Sequence, residues 1–535
     1  MSQTQTNKQT LGEYLIRCLE AQGTEYVFGI PGVHTVSLYR GLDGSTISHI
    51  TPRHEQGAGF MADGYARISG KPGVCFVITG PGLSNISTAM LQARADSVPM
   101  LVISAVNDLD RTTRGNLHEM PDQAAFAKTA AVQSSTVTNG GELRAALEQA
   151  YHLFSSGRPG PIHIELPLAA INAECADEMP NPTTMPAPTP SAADLNEAAT
   201  QMEGWSKPLI LAGGGTRSAG ADILALAERL SAPLITTVNA RSAFPNDHPL
   251  VLHGSASLPS VRKLIDEADG IFAVGTELGP TDYDMYETLG PIAAKALMRV
   301  DIDAKQARTN ADPALALIGD CACIAKDLTE RLSQKQPGFG NRIAEVRMTV
   351  RAELSDDYRQ HIQLLSAVRD AVSDTVFIGD STQLVYAGNM AFAPGKGGDW
   401  FNSATGFGTL GYGLSAAMGA KLADPAKPVL CLIGDGGLQF ALGELGTLRD
   451  LAVPVVVLVW NDAAYGEIAS AMRTANIAQD VIAASCHVPA PDFAAIAKAY
   501  DLEAITHVGT EGLSDLVINA LASKTSFVID ARIAK

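Results

Sequence analysis

The stretch Pro428-Val-Leu-Cys-Leu-Ile-Gly434-Asp435-Gly436-Gly437, then a helical run, then Val453-Pro-Val-Val-Val-Leu-Val-Trp-Asn461-Asp462-Ala-Ala464-Tyr-Gly466 decides how the chain folds. Each apolar run is too short for a buried helix, is rich in Val, Leu and Ile, and stops in a polar, turn-forming cluster. Two parallel strands joined by a helix satisfy both features. Ligands of such sheets bind in the crevice outside the carboxyl ends of the strands, so Asp435 and Asp462 are expected to face one another there. A pair of carboxylates suits a hard divalent cation carrying a phosphorylated cofactor. Mg2+ takes oxygen ligands at about 2.1 Å and completes its shell with phosphate oxygens and water. Gly436 and Gly437 would let main-chain N–H groups approach an anion closely. Taken alone, Gly434-Asp435-Gly436 reads as an ordinary strand-end turn; the second cluster, at a second strand end, gives it meaning.

A chain of 535 residues is long enough for three or four domains, each burying its own core. Its net charge of −18 argues against unaided binding to nucleic acid or to an anionic membrane, both of which need basic patches. Seven cysteines, an odd number without Cys-x-x-Cys pairs, read as reduced thiols in a cytoplasmic protein rather than a disulfide framework or zinc knuckle. The first ten residues are polar and lack the apolar core of a signal peptide. No segment approaches the roughly 20 apolar residues of a membrane span.

Along the chain, residues 11–22 are amphipathic, Tyr26-Val-Phe-Gly29 ends in the tight loop Ile30-Pro31-Gly32, and Arg53-His54-Glu55-Gln56-Gly57-Ala58 opens a helix. Gly73-Val-Cys-Phe-Val-Ile78 reads as a strand ending in Thr79-Gly80-Pro81-Gly82. Alternation of this kind predicts an α/β fold of right-handed βαβ units with parallel sheets. We place a first βα domain at residues 1–171 and a linker at 172–193, extended by Pro180, Pro182, Pro186, Pro188 and Pro190. A second domain covers 194–334, a charged, mostly helical connection covers 335–362, and a third domain covers 363–535.

With these pieces in place, the chain resembles the acetolactate-synthase-like family of thiamin diphosphate (ThDP) enzymes. The matching segments are Phe28-Gly-Ile-Pro-Gly32, Arg53-His-Glu-Gln-Gly-Ala58, Thr79-Gly-Pro-Gly82, Asp96-Ser-Val-Pro99, Gly434-Asp-Gly436 and Asn461-Asp462, in order across all three domains. The resemblance implies pyrimidine-binding, central and diphosphate-binding domains, with active sites between the subunits of a homodimer or homotetramer. It implies that Glu55 lies against N1′ of the aminopyrimidine, where a carboxyl group favours the imino tautomer that takes the thiazolium C2 proton. Gly406-Phe-Gly408-Thr-Leu410-Gly411 is similar to the loop that holds the cofactor bent, the Gly408 carbonyl accepting from the 4′-amino group and Leu410 wedged between the rings. Asp380-Ser381-Thr382 is similar to the diphosphate-contacting turn. The metal ligands implied for Mg2+ are the Asp435 and Asp462 side chains and the Ala464 carbonyl. Asp462 departs from the family, which has Asn there; a second carboxylate remains an acceptable hard ligand.

Three further positions bear on the substrate. Enzymes of this family decarboxylate 2-oxo acids and either release an aldehyde or join the fragment to a second 2-oxo acid. A histidine is the side chain suited to supply the proton that releases an aldehyde, and His118, in Leu117-His118-Glu119, is the candidate; His34, after Val33, is a second candidate near the same substrate. Glu467, just past Gly466, suits a cationic side chain such as guanidinium, although a carboxylate at a helix start also suits the helix dipole. Asp282 and Asp284 are possible contributors. In the central domain, Gly275-Thr-Glu277-Leu-Gly-Pro-Thr-Asp282 lacks both arginines of the flavin-containing members, so no tightly bound FAD is expected. Together these positions favour a non-oxidative decarboxylase of a small-molecule 2-oxo acid with a polar or cationic side chain, most similar to those acting on 5-guanidino-2-oxopentanoate. A carboligase of the acetolactate synthase kind, or a non-catalytic regulator on the same fold, are the alternatives.

Overall fold

Runs such as Val429–Gly434 and Val456–Asn461 are buried along their whole length. Strands covered by helices on both faces read as continuous apolar runs rather than alternating ones, which is why the sequence signalled a parallel sheet. The computed structural model describes residues 9–111, 113–176, 186–285, 289–292, 296–336 and 338–533. Pro180 and Pro182 of the expected linker lie outside the described residues. In chain order the strands are β1 (Gln9–Thr10), β2 (Tyr26–Gly29), β3 (Ser48–Ile50), β4 (Gly73–Val77), β5 (Met100–Val106), β6 (Gln133–Thr136), β7 (Pro161–Pro167) and β8 (Glu174–Cys175). They continue with β9 (Pro208–Ala212), β10 (Leu234–Thr236), β11 (Val251–Leu252), β12 (Gly270–Val274), β13 (Leu297–Asp301) and β14 (Leu315–Ile318). The last six are β15 (Val376–Gly379), β16 (Asp399–Asn402), β17 (Val429–Gly434), β18 (Val456–Asn461), β19 (Glu503–Val508) and β20 (Phe527–Arg532).

Eighteen of these strands form three six-stranded parallel sheets with helical crossovers, so the chain is an α/β protein of three βα domains, and β1 pairs with β8 as a small antiparallel ribbon. The N-terminal sheet runs β3-β2-β4-β5-β7-β6 and the C-terminal sheet β16-β15-β17-β18-β20-β19, the same order counted from the first strand of each. The central sheet runs β11-β10-β9-β12-β13-β14. The orders reverse between β2 and β4, between β15 and β17, and between β9 and β12, and loops diverging at such a switch open a crevice; in the N- and C-terminal sheets the last strand also turns back to insert inside its predecessor. No described helix is long and apolar enough to cross a membrane.

The chain divides into two compact units. The first holds the N-terminal sheet together with Leu414–Ala426 and Ala441–Val453. Its helix Leu11–Ala21 is started by a capping box of Thr10 and Glu13 and packs Leu15 and Leu19 with Val74, Phe76, Leu101 and Ile103. The second unit holds the central and C-terminal sheets. Here the helix Asp356–Ala371 runs straight through residues 362 and 363, and packs Leu365 and Val368 with Phe377, Leu430 and Leu458. Arg241 is fully buried and donates to the carbonyls of Gly388, Asn389 and Phe392, capping the end of the helix Gln383–Ala391. A cation there complements both the orphan carbonyls and the helix dipole.

Gly213-Gly214-Gly215 follows β9 at the central switch. The amides of Gly213 and Gly215 donate to the carbonyls of Val274 (2.9 Å) and Gly275 (3.0 Å). A Cβ on Gly213 would lie 2.2 Å from the Gly275 oxygen. Both amides are spent on packing loop against loop.

Candidate active site

Four neighbouring strands of the C-terminal sheet deliver the expected cofactor residues of this domain to one edge. Residues 403–411 follow β16, Asp380-Ser381-Thr382 follow β15, Asp435-Gly436-Gly437 follow β17, and Asp462-Ala463-Ala464 follow β18. Gly434 is in register with Trp460, so Asp435 ends its strand level with Asn461, and Asp462 lies one residue further along the adjacent strand. Asp435 is buried and opens the short helix Asp435–Phe440. The Asn461 side chain turns into the sheet, its Nδ2 donating to Asp530 at 2.8 Å. Gly408 and Gly411 have φ of +72° and +81°, so the 403–411 loop takes a path that side-chain-bearing residues adopt with strain; Leu410 within it is half-buried.

Asp380 plays a different part from its neighbours. It is fully buried, and its two oxygens accept from the amides of Ser381 (2.8 Å) and Gly413 (3.1 Å). Burial raises its pKa to about 6, against the opposing pull of those amides. Its carboxylate therefore ties the β15 turn to the end of the 403–411 loop. Ser381 remains half-exposed, and the Thr382 hydroxyl is 3.2 Å from where a Cβ on Gly434 would stand.

Past Asp462 the chain makes a helical excursion. Ala463 has a left-handed φ of +53°. An antiparallel bridge between Ala464 and His487 closes the base through Tyr465 N–H to Cys486 C=O (2.9 Å) and Val488 N–H to Ala463 C=O (3.0 Å). The Ala464 carbonyl takes part in neither bond. Inside the excursion the helices Gly466–Thr474 and Gln479–Cys486 share a small core of Ala469, Ile482 and Cys486. Glu467 is in the first turn of the former and half-buried, and its Oε1 accepts from Tyr358 Oη at 2.9 Å.

In the first unit, Glu55 is the first residue of the helix Glu55–Ser69, only 9% exposed, and its Oε2 accepts from Asn85 Nδ2 at 2.9 Å. Its helix start is gripped by a buried carboxylate that the sequence had not signalled. Glu444 Oε1 accepts from the amides of Arg53 and His54, both at 3.0 Å, and Oε2 from Thr447 Oγ1 at 2.7 Å. Burial pushes the Glu444 pKa up. A Cβ on Gly57 would come within 2.4 Å of Glu444 Oε1, so the glycine makes this approach possible.

His34, after β2, and His118 lie side by side, with ring centroids 5.3 Å apart and planes at 78°. Among the described residues, Nδ1 of each ring is buried without a hydrogen-bond partner. Burial, and then the neighbouring His118, hold the pKa of His34 below the usual value. His118 has a φ of +59°, and its carbonyl would be 2.4 Å from a Cβ on Gly80. A left-handed, non-glycine residue held by its surroundings is strain of the kind that gathers at functional sites. Val33 beside them is 69% exposed and free to meet a ligand. Asp282 and Asp284 are engaged with main chain, Asp282 accepting from Val238 and Asp284 from Leu289 and Gly290.

Three thiamine pyrophosphate enzyme family models match in chain order: the N-terminal TPP binding domain over residues 9–126, the central domain over 195–328 and the C-terminal TPP binding domain over 380–531. The chain belongs to the thiamine pyrophosphate enzyme family. Within it, the chain is 42% identical to a probable 2-ketoarginine decarboxylase, AruI, of Pseudomonas aeruginosa, over 92% of this chain and 88% of the relative. It is 31% identical to the acetolactate synthase isozyme 1 large subunit of Escherichia coli, over 86% of this chain and 84% of the relative. A probable acetolactate synthase large subunit of Methanocaldococcus jannaschii is 27% identical over 97% and 91% of the two chains.

For a thiamine pyrophosphate enzyme the donor set at the β17 and β18 ends fits a phosphate-bound cation. No group of three or more His, Cys, Asp or Glu side chains gathers as a metal cage among the described residues. Two carboxylates and a main-chain carbonyl that takes part in neither bond of the bridge would leave the remaining positions to phosphate oxygens and water, which is how Mg2+ is usually held with a diphosphate. Asn85, Glu444 and Tyr358 escaped sequence reasoning. None belongs to a short motif, and each meets its partner from a distant part of the chain.

Proposed function

We propose that this enzyme catalyses the ThDP- and Mg2+-dependent, non-oxidative decarboxylation of 5-guanidino-2-oxopentanoate (2-ketoarginine) to the aldehyde and CO2. The observation that carries the substrate assignment is Glu467, a carboxylate four residues from Ala463 whose hydrogen bond goes to another helix rather than to its own. A carboxylate in that position pairs with a planar guanidinium in a way that a methyl or branched apolar chain cannot use. The name of the 42%-identical relative agrees with this reading.

When bound, ThDP supplies the carbon nucleophile for the 2-carbonyl and the electron sink that lets CO2 leave. Asp435, Asp462 and the Ala464 carbonyl hold Mg2+. Ser381, Thr382 and the amides of Gly436 and Gly437 meet the diphosphate, while Asp380 fixes the turn that presents them. The Gly408 carbonyl accepts from the 4′-amino group and Leu410 supports the rings. Glu55 shares a proton with N1′ through Oε1, because Asn85 engages Oε2. His118, steadied by His34, delivers the proton that frees the aldehyde, and Val33 lines the substrate. The chain acts as a homodimer or homotetramer and carries no FAD, lacking the arginines that would pair with the flavin phosphates.

An assay panel of pyruvate, branched-chain 2-oxo acids and 2-ketoarginine, scoring CO2 and product, tests the proposal. Release of CO2 and aldehyde from 2-ketoarginine should dominate, and acetolactate from pyruvate as the main product would refute it. His118→Ala should slow aldehyde release; an unchanged rate removes His118 from the mechanism. A flavin absorbance band in the purified protein would contradict the absence of FAD.

A further inference from the structure

We propose that Tyr358 is a specificity-positioning residue: it holds one oxygen of Glu467, so that the other oxygen is presented to the cationic end of the substrate. The inference rests on the reading of Glu467 as the cation-binding group, and deepens it.

Three observations carry it. First, Glu467 occupies a helix first turn, where a carboxylate commonly caps its own helix. Here its Oε1 accepts instead from the Tyr358 hydroxyl at 2.9 Å, across 109 residues of chain. Second, Tyr358 is built to be stationary. It lies in the first turn of the helix Asp356–Ala371, whose start is capped by the Ser355 hydroxyl and whose Leu364, Leu365 and Val368 are set in the core of the second unit. One turn further along, His361 is buried with its ring 4.8 Å from Trp460 at 82°, fixing this helix over the end of β18. Third, the same strand end is tied to the excursion. Trp460 Nε1 donates to Gln383 Oε1 at 3.2 Å, and a Cβ on Gly466 would lie 2.7 Å both from Gln383 Nε2 and from Asp462 Oδ2. The carboxylate of Glu467 thus has a fixed partner on one side, within one residue of a contact to Asp462. A hydroxyl donor keeps the group an acceptor, whereas a Lys or Arg at 358 would neutralise it. Because the tyrosine ring also packs, the hydroxyl alone is the element of interest.

The test uses the holoenzyme with two substrates of similar length, 5-guanidino-2-oxopentanoate and the uncharged 2-oxooctanoate, and the variants Tyr358→Phe, Glu467→Gln and the double variant. Tyr358→Phe should lower kcat/KM for the guanidino acid by about tenfold, the scale of one hydrogen bond to a charged group. The loss should lie in KM, with kcat and the uncharged acid unchanged. In the Glu467→Gln background the second substitution should add nothing. Equal losses on both substrates would assign Tyr358 to packing only, and no loss on either would remove it from specificity; either result overturns the inference. If Glu467→Gln itself fails to discriminate between the substrates, the cation-binding reading falls, and that outcome is visible in the single variant before Tyr358 is considered.

Discussion

Glu55 and Glu444 are two carboxylates at one helix start with opposite duties. Glu55 is expected to exchange a proton with the cofactor, so Glu55→Gln should abolish turnover while leaving the melting temperature near that of the wild type; near-normal turnover would sink its assignment. Glu444 holds the Arg53 and His54 amides. Glu444→Ala leaves the part-buried Arg53 and His54 N–H groups without their acceptor and should cost about 2 kcal/mol of stability with a large loss of kcat, whereas Glu444→Gln keeps an acceptor oxygen and should lose much less in both. Thermal unfolding and steady-state rates on the two variants separate these cases. Asp462→Asn should still bind Mg2+ and ThDP, as a direct titration would report; complete loss of binding would contradict its place as a ligand. Glu55 and Asp462 could be singled out from the sequence because each stands in a short segment that resembles a family motif. Glu444 was not, because its meaning comes from a contact with residues almost 400 positions away, across 390 residues to His54 and 391 to Arg53.

At the scale of elements, the sequence foretold the strands well where both faces are buried. The runs ending in Gly29, Gly434 and Asn461 end where the apolar residues end. Boundaries that depend on packing were harder to foresee: a change of domain was expected at 362/363, inside what is one uninterrupted helix, because charged residues along its exposed face hid the apolar stripe of Leu364, Leu365 and Val368. In the Gly213-Gly-Gly215 turn the first and third amides bond to the carbonyls of Val274, at the end of β12, and Gly275 just after it, partners that periodicity cannot reveal. The Arg241 cap is likewise an element-level device. Arg241→Met keeps the length of the side chain but leaves the carbonyls at the end of the Gln383–Ala391 helix without their donor, and should destabilise the protein by about 3 kcal/mol, read as a lower denaturant midpoint.

For the molecule as a whole, acid stability follows from buried histidines. His163 and His253 are both pushed by burial from 6.5 to about 3, His163 between the hydroxyls of Ser104 and Ser134 at 2.8 Å each. A depressed pKa means that the folded state binds fewer protons than the unfolded one. The stability these groups contribute is therefore complete above pH 6.5 and declines as pH falls toward 3, by up to roughly 1.4 kcal/mol per pH unit for each. Asp380, Glu165 and Glu444, whose pKa values are raised by burial, act with the opposite sign over the carboxylate range, so the difference between wild type and His163→Asn is the cleaner measurement. That difference should shrink steadily between pH 7 and pH 4; a constant difference would show that His163 contributes packing alone. The shared strand order of the N- and C-terminal sheets places candidate residues at the carboxyl edge of each, so one architectural plan is used twice in the chain.

The excursion between Ala463 and Val488 has an evolutionary reading. Its two hydrogen bonds at the base and its private core let it vary in length and composition as a cassette, while Asp462 stays in register at the end of β18. Glu467 is carried by the cassette, and Asp435 and Asp462, the carboxylates proposed to hold the metal, follow strands of the sheet. If Glu467 reads the substrate as proposed, the group that selects the substrate and the groups that carry out the reaction sit on separate structural supports, and some two dozen residues between Ala463 and Val488 could be exchanged without moving Asp462 from the end of β18.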